Sequence, residues 1–347
     1  MKRFFLFAII FFICDIYSMN AQGKFSGYMF GDYYYNLYSP SNTASFQAFQ
    51  LRRVYFTYDN DISEKFTSRF RLEADQSANA SNGSIGVAVK DAYLKWKNIY
   101  SGSDLLFGIQ PTPAFDVSES VWGYRALEKT IMDLRGIVSS RDIGISLKGN
   151  FVEDGTASYW VMLANGNGNK PENDKYKRYY ASIQIKPLPG LQATAHMDYK
   201  DQSNIADVYL GGKKVSNGQW TTSLFVGYTQ NELFSIGAEG FLQSLSHGYN
   251  NGISLATRPA MGISVFASYY ILPELSAVGR YDFYDPNTDS NAKGDVTNLI
   301  ILGLSWKVDK NVAIQPNLWY ESYEKPVNGS KPDPLMTARI TFFYTFL

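Results

Sequence analysis

The sequence predicts an all-β fold, a transmembrane antiparallel β-barrel of about sixteen strands, and three observations carry that prediction. Short stretches from residue 24 to the C-terminus alternate apolar and polar residues, as a wall with lipid on one side and water on the other requires. The connectors between them alternate in length, short then long, which suits short periplasmic turns and longer outer loops and has no counterpart in a soluble sandwich. Aromatic residues make up 16% of the chain, with 26 Tyr and 23 Phe. That exceeds what a soluble core uses and fits the girdles that barrels build at both membrane interfaces.

The chain opens as a secretory signal over residues 1–21: Lys2 and Arg3, an apolar stretch from Phe4 to Ile13, and Ala21 before the expected cleavage. The apolar stretch falls short of the ~20 residues of a membrane-spanning helix, and no later run approaches that length. Cys14 suits a lipoprotein site poorly, because bulky Phe12 and Ile13 precede it. It is the single cysteine, so the expected mature chain, residues 22–347, has no disulfide and no thiolate metal site. Removing Lys2, Arg3 and Asp15 with the signal leaves 30 basic against 31 acidic side chains, which is no basis for nucleic-acid binding. Little chain remains before the first strand, so no plug domain is expected and one barrel accounts for residues 22–347.

Strands are expected near 24–35, 48–59, 65–75, 86–97, 104–110, 141–149, 157–165, 177–187, 190–200, 219–229, 232–243, 258–271, 274–284, 297–308, 311–322 and 335–347. Most have the ~9–11 residues that cross a bilayer at a tilt. In the second, Phe49 and Leu51 share one parity and Val54, Phe56 and Tyr58 the other. The phase slips at Arg52 and Arg53, where a β-bulge would keep both apolar sets outward and both arginines out of the hydrocarbon. In the third, Phe66, Phe70, Leu72 and Ala74 lie on one face with Ser68, and Thr67, Arg69, Arg71, Glu73 and Asp75 on the other. In the fourth, Lys90 falls on the lipid face and is expected to snorkel to the headgroups.

The connector at 111–140 is the longest and carries a helical stripe: Val117, Val121, Tyr124, Leu127, Ile131 and Leu134 recur at three and four residues. Asp116 and Glu119 match a capping box, and Gly136 fits a helix stop. Arg125, Glu128, Lys129, Asp133 and Arg135 form its polar side. The expectation is an amphipathic segment folded into the barrel, its stripe on the inner wall and its charges toward a pore; an external cap over the mouth is the alternative.

The later strands keep the alternation. Ile143, Ile145 and Leu147 oppose Asp142, Ser146 and Lys148, and Leu191, Ala193, Ala195, Met197 and Tyr199 oppose Gln192, Thr194, His196, Asp198 and Lys200. The last strand ends on Tyr344 and Phe346, which resembles the terminal assembly signal of bacterial outer-membrane barrels; Leu347 lies one residue beyond it. His196 and His247 supply no credible hydrolase triad: the first lies between Thr194 and Asp198 on the lumen face, and the second is a loop neighbour of Ser246. Asp285, Asn287, Asp289, Asn291 and Asp295 approach a calcium-loop spacing, but Ser290 and Val296 stand where Gly and Glu are needed. Gly166 and Gly168 read as turn glycines. No enzyme activity, cofactor or metal is therefore expected.

Leu51-Arg52-Arg53, the charged third strand, Val89-Lys90-Asp91-Ala92-Tyr93, Phe107-Gly108 leading to Pro113, and Ser140-Arg141-Asp142-Ile143-Gly144 together resemble the phosphate-selective porin O and P family, over roughly residues 45–347. The resemblance implies a sixteen-stranded outer-membrane barrel, commonly a homotrimer in lipid, whose third outer loop narrows a channel for small hydrophilic solutes or anions. Arg125, Lys129 and Arg135 on the loop, with Arg69, Arg71 and Asp91 on the wall, are the expected constriction residues. Face parity gives the lumen ten basic and eight acidic groups, and a mixture of that kind is not the one-sign ring that selects ions firmly. Display of loops as an adhesin or receptor, or service within a larger complex, is the alternative function.

Overall fold

The computed structural model describes residues 23–40, 43–79, 82–327 and 329–347; the signal expected at 1–21 lies outside them. Five strands open the chain: β1 (Lys24–Tyr38), β2 (Gln47–Asp61), β3 (Phe66–Asn79), β4 (Ile85–Tyr100) and β5 (Ser103–Pro111). Two short helices follow, α1 (Asp116–Trp122) and α2 (Ile131–Leu134). Then come β6 (Arg141–Asn150), β7 (Ala157–Ala164), β8 (Arg178–Leu188) and β9 (Leu191–Lys200). A small hairpin, β10 (Ile205–Asp207) with β11 (Lys213–Val215), rises from the next long loop. The wall resumes with β12 (Gln219–Gln230), β13 (Phe234–Asn250), β14 (Leu255–Leu272), β15 (Leu275–Asp285), β16 (Thr297–Asp309), β17 (Val312–Tyr323) and β18 (Leu335–Thr345).

Apart from the β10–β11 hairpin, every strand pairs antiparallel with its neighbours in the chain, β9 pairs with β12, and β18 pairs with β1, so sixteen strands close a barrel. Closure leaves no unpaired edge, the condition for a sheet in lipid. The alternation sorts as the sequence predicts: Leu224 on β12 and Leu242 on β13 are well exposed on the outside, whereas Thr221 and Ser223, of the opposite parity along β12, are buried inside. The ends of β13 and β14 pair well beyond the membrane-crossing length, Tyr249 opposite Ala256, and carry the hairpin past the girdle.

The expected slip in β2 is a β-bulge, and a second bulge, not expected, lies in β4. Phe30 pairs with Arg53 and Gly31 with Leu51, so Arg52 is the extra residue of β2. Arg71 pairs with Asp91 and Leu72 with Val89, which makes Lys90 the extra residue of β4. This corrects the snorkelling expectation: the bulge turns Lys90 inward, where its Nζ lies 3.0 Å from Glu73. A charge on a lipid-facing strand position can be removed by a change of register as well as by reach.

The densest packing lies inside the barrel, between the 111–140 loop and one side of the wall. Val121, Trp122 and Leu127 pack with Phe225, Phe266 and Val278. Phe115, Ile131, Met132 and Val138 pack with Met162, Tyr180 and Phe241. On the other side, Ala126 meets Phe30 and Tyr55. Gly227, Gly237 and Gly262 open room for this packing, since a Cβ at each would run into Phe225, Phe266 or Phe241.

Candidate functional site

The stripe at 117–134 does not form one helix. Gly123 takes a left-handed conformation, φ 70°, and ends α1 with its N–H donating to the Glu119 carbonyl at 3.0 Å. The capping box is not made: Phe115 precedes the first turn without a side-chain cap, and Asp116 lies inside the helix. After the break, Leu127 and Ile131 are buried on one side and Glu128 and Thr130 on another, so the segment is packed around most of its circumference. Gly136, at φ 65°, does close the short α2.

Tethers hold this segment from several strands. Ser118 Oγ donates to Glu239 at 2.9 Å, Ser235 Oγ to the Val121 carbonyl at 3.1 Å, and Gln243 Nε2 to the Ile137 carbonyl at 3.1 Å. Arg280, itself paired with Asp282, donates to the Lys129 carbonyl. Across the lumen, Arg52 donates to the carbonyls of Ala126 and Leu127 at 2.9 and 3.0 Å and pairs with Glu128 at 3.2 Å. The bulge that releases Arg52 from the wall pattern thus gives the loop its anchor. Burial works against the Glu128 charge, but Arg52 and Arg339 outweigh it and hold the carboxyl below its usual range.

The remaining charges concentrate on two faces. On the wall, Asp91 is fully buried and pairs with Arg71 at 3.4 Å and with Arg141. Arg71 also donates to Thr57 at 2.8 Å and lies over the Tyr55 ring. Beside them Glu73 accepts from Tyr55 at 2.7 Å, Arg53 at 2.9 Å and Lys90 at 3.0 Å, and Arg53 reaches Asp75. On the loop, Arg125 lies between Glu119 at 3.6 Å and Asp133 at 3.7 Å. Burial pushes the Glu119 carboxyl up, and Arg125 pulls it down by less. The wall group carries Arg53, Arg71, Lys90 and Arg141 against Glu73, Asp75 and Asp91, while the loop group sets Glu119 and Asp133 against Arg125.

Of the six expected constriction residues, the structure gathers Arg71, Asp91 and Arg125 near these two faces. Arg69 makes a two-pronged pair with Asp59 at 2.7 and 3.0 Å, closer to the short-turn end. Arg135 points to the far wall, where it pairs with Glu321 at 2.7 Å and lies over Tyr284. Lys129 meets the wall through its carbonyl, which accepts from Arg280. Sequence reasoning left Lys90, Arg141, Glu119 and Asp133 out of the set. The phase slip in β4 was the available signal for Lys90; the others depend on how the loop turns. Both histidines are engaged elsewhere, His196 with Asp198 at 3.0 Å and His247 with the Ser216 carbonyl at 2.7 Å. The Asp285–Asn291 run spends its oxygens on its own backbone: Asp285, Asn287 and Asp289 each accept from the N–H two residues on.

No protein-family model matches the chain, and no curated protein matches it. Its fold is shared with solved outer-membrane proteins at low sequence identity. The outer-membrane channel DcaP of Acinetobacter baumannii is similar at 14% identity with a TM-score of 0.69, covering 94% of this chain and 97% of that one. An anion-selective porin from Comamonas acidovorans is similar at 12% identity with a TM-score of 0.65, covering 94% and 100%. OmpT of Vibrio cholerae, in a trimer form, is similar at 14% identity with a TM-score of 0.58, covering 94% and 99%.

Proposed function

We propose that this protein is a porin of the bacterial outer membrane, a passive channel for small hydrophilic solutes whose narrowest part lies between the 111–140 loop and the β2–β6 wall. The observation that carries the proposal is the tethered loop inside the barrel, with a charged group of its own and another on the wall. A solute crossing there exchanges part of its water for fixed charges of both signs, so size and charge distribution decide its passage. Because the wall group has one more base than acids and the loop group one more acid than bases, a transverse field results, which orients polar solutes. Short turns then face the periplasm and long loops the exterior.

A mild anion preference is the finer reading, with phosphate as the solute that the sequence resemblance implies. Arg71, Arg141 and Lys90 on one wall favour it, and the Comamonas acidovorans neighbour is described as anion-selective. A homotrimer belongs to the same proposal, supported by the neighbour described in a trimer form. Light scattering of the solubilised protein then reads three chains per particle.

The deciding measurement is the purified protein in planar bilayers across a salt gradient. Discrete ohmic steps with a reversal potential displaced toward anions are expected. Steps with no displacement would leave a general porin, and the absence of steps would replace the pore with loop display or a role in a larger complex.

A further inference from the structure

A second place in the lumen has the chemistry of a binding site. Between the loop segment Ser120–Ala126 and the short turns at 229–232 and 309–312 lies a cavity of about 490 Å³, within the range of small-ligand sites. The rings of Tyr28, Phe343 and Tyr270 line it, each partly exposed. Tyr28 and Phe343 are 5.7 Å apart and tilted at 43°. Tyr28 continues to Tyr55 at 4.7 Å, and Tyr55 lies under Arg71, so a run of rings leads from the charged constriction into the cavity.

The cavity wall also carries a polar pair that its own neighbours leave incomplete. Gln315, 5% exposed, donates from Nε2 to Ser305 Oγ at 3.0 Å. Its Oε1 is buried with no partner among the described residues. Ser305, also buried, uses its oxygen as acceptor in that bond and keeps its hydroxyl hydrogen. An acceptor and a donor therefore lie side by side, and a buried acceptor left unmet costs free energy.

We propose that this cavity is an exit subsite for a saccharide that has passed the constriction. A sugar ring presents a C–H face that lies against aromatic rings and a rim of hydroxyls, which accept the Ser305 hydroxyl hydrogen and reach the Gln315 Oε1 once that side chain turns out of its sealed position. Lys307, held over Tyr270 at 5.4 Å, marks the periplasmic mouth without belonging to the polar pair. The subsite rests on the pore reading, because it serves solutes on that path.

The test uses maltose on the full barrel in a detergent without a sugar headgroup, such as an alkyl amine oxide, by bilayer conductance and by titration calorimetry. Maltose from the short-turn side is expected to reduce conductance saturably, half-maximally on the order of millimolar concentrations, with a matching heat of binding. Gln315→Leu is expected to raise the half-maximal concentration roughly fivefold, as loss of one hydrogen bond does. Phe343→Ala is expected to raise it further; if that variant fails to fold, Gln315→Leu still decides. Steps that fall only with solution viscosity, without heat, would overturn the subsite and keep the pore. Heat that Gln315→Leu weakens, in a protein giving no steps, would keep the subsite and overturn the pore. Binding unaffected by Gln315→Leu would also overturn it.

Discussion

The two halves of the barrel interior obey the same strand alternation and end in opposite uses. Along β12–β15 the inward side chains include Phe225, Phe241, Phe266 and Val278, and the loop covers them as it would in a soluble core. Along β3 and β4 the inward side chains include Arg71, Glu73, Asp91 and Lys90, which pair with one another and face Arg125 with its two carboxylates. Inward in a barrel thus means either packed against apolar side chains or paired in charge. The loop decides which, because its apolar residues seek the phenylalanines and its hydrogen-bonding carbonyls seek Arg52 and Arg280.

Breaking the packed half has the largest expected effect. Trp122 is 2% exposed, lies edge-on to Phe266, has Arg280 over its ring and donates to the Glu128 carbonyl at 2.8 Å. Trp122→Ala removes all of this from a confined site and is expected to cost about 3–5 kcal/mol, read by chemical unfolding of the solubilised barrel. Arg52→Ala comes next. It removes the directly paired cation from Glu128 and from the fully buried Asp32, 3.5 Å from the guanidinium, leaving Arg339 as their remaining counter-charge, and frees two loop carbonyls. A loss of about 3 kcal/mol is expected, with noisier single-channel current as the loop loosens. Equal stability of either variant and the wild type would mean that the loop is not held as a core element.

The charged half should respond chiefly in the other quantity. Arg71→Ala removes one of the two arginines on the buried Asp91 and leaves Arg141 there, so stability is expected to fall by about 2 kcal/mol, less than for Arg52→Ala, while the reversal potential moves toward cations. Arg69→Ala, which breaks a partly exposed pair with Asp59, is expected to change stability by less than about 1 kcal/mol and to move the reversal potential less than Arg71→Ala does. A larger displacement from Arg69→Ala than from Arg71→Ala would place the narrowest section at the short-turn end.

The contrast also explains what the sequence revealed. Strand alternation is a local, period-two property set by lipid and water, so the strands and the bulge at Arg52 were legible from parity at Phe49, Leu51, Val54 and Phe56. The Lys90 bulge left the same kind of signal, but a lysine on a lipid face has a second explanation in snorkelling, and sequence alone favoured it. The loop was legible as structured, since Val121, Leu127 and Ile131 are apolar at helical spacing. Its course was not, because Gly123 breaks the helix and the charged residues beyond it are sorted by partners on other strands: Arg135 by Glu321, Arg125 by Glu119 and Asp133. Such pairings are long-range in the chain and leave no periodic trace.

The smallest expected effect separates the two halves by pH. Burial pushes the Glu119 carboxyl above its usual 4.5, whereas Glu128, despite full burial, is held below that value by Arg52 and Arg339. As pH falls into the range just above 4.5, Glu119 takes up its proton first. Its raised value means that the folded protein binds this proton more readily than the unfolded chain, so stability does not fall on that account. The stabilising contribution of Glu128 is complete above 4.5 and is lost only as pH falls through its depressed value. A window should therefore exist in which the loop group loses negative charge, the reversal potential moves toward anions, and the unfolding midpoint does not fall. Glu119→Gln should abolish most of that movement and leave acid unfolding where it was. If Glu119→Gln instead lowered the unfolding midpoint and left the reversal potential titrating as before, Glu119 would belong with the packed half.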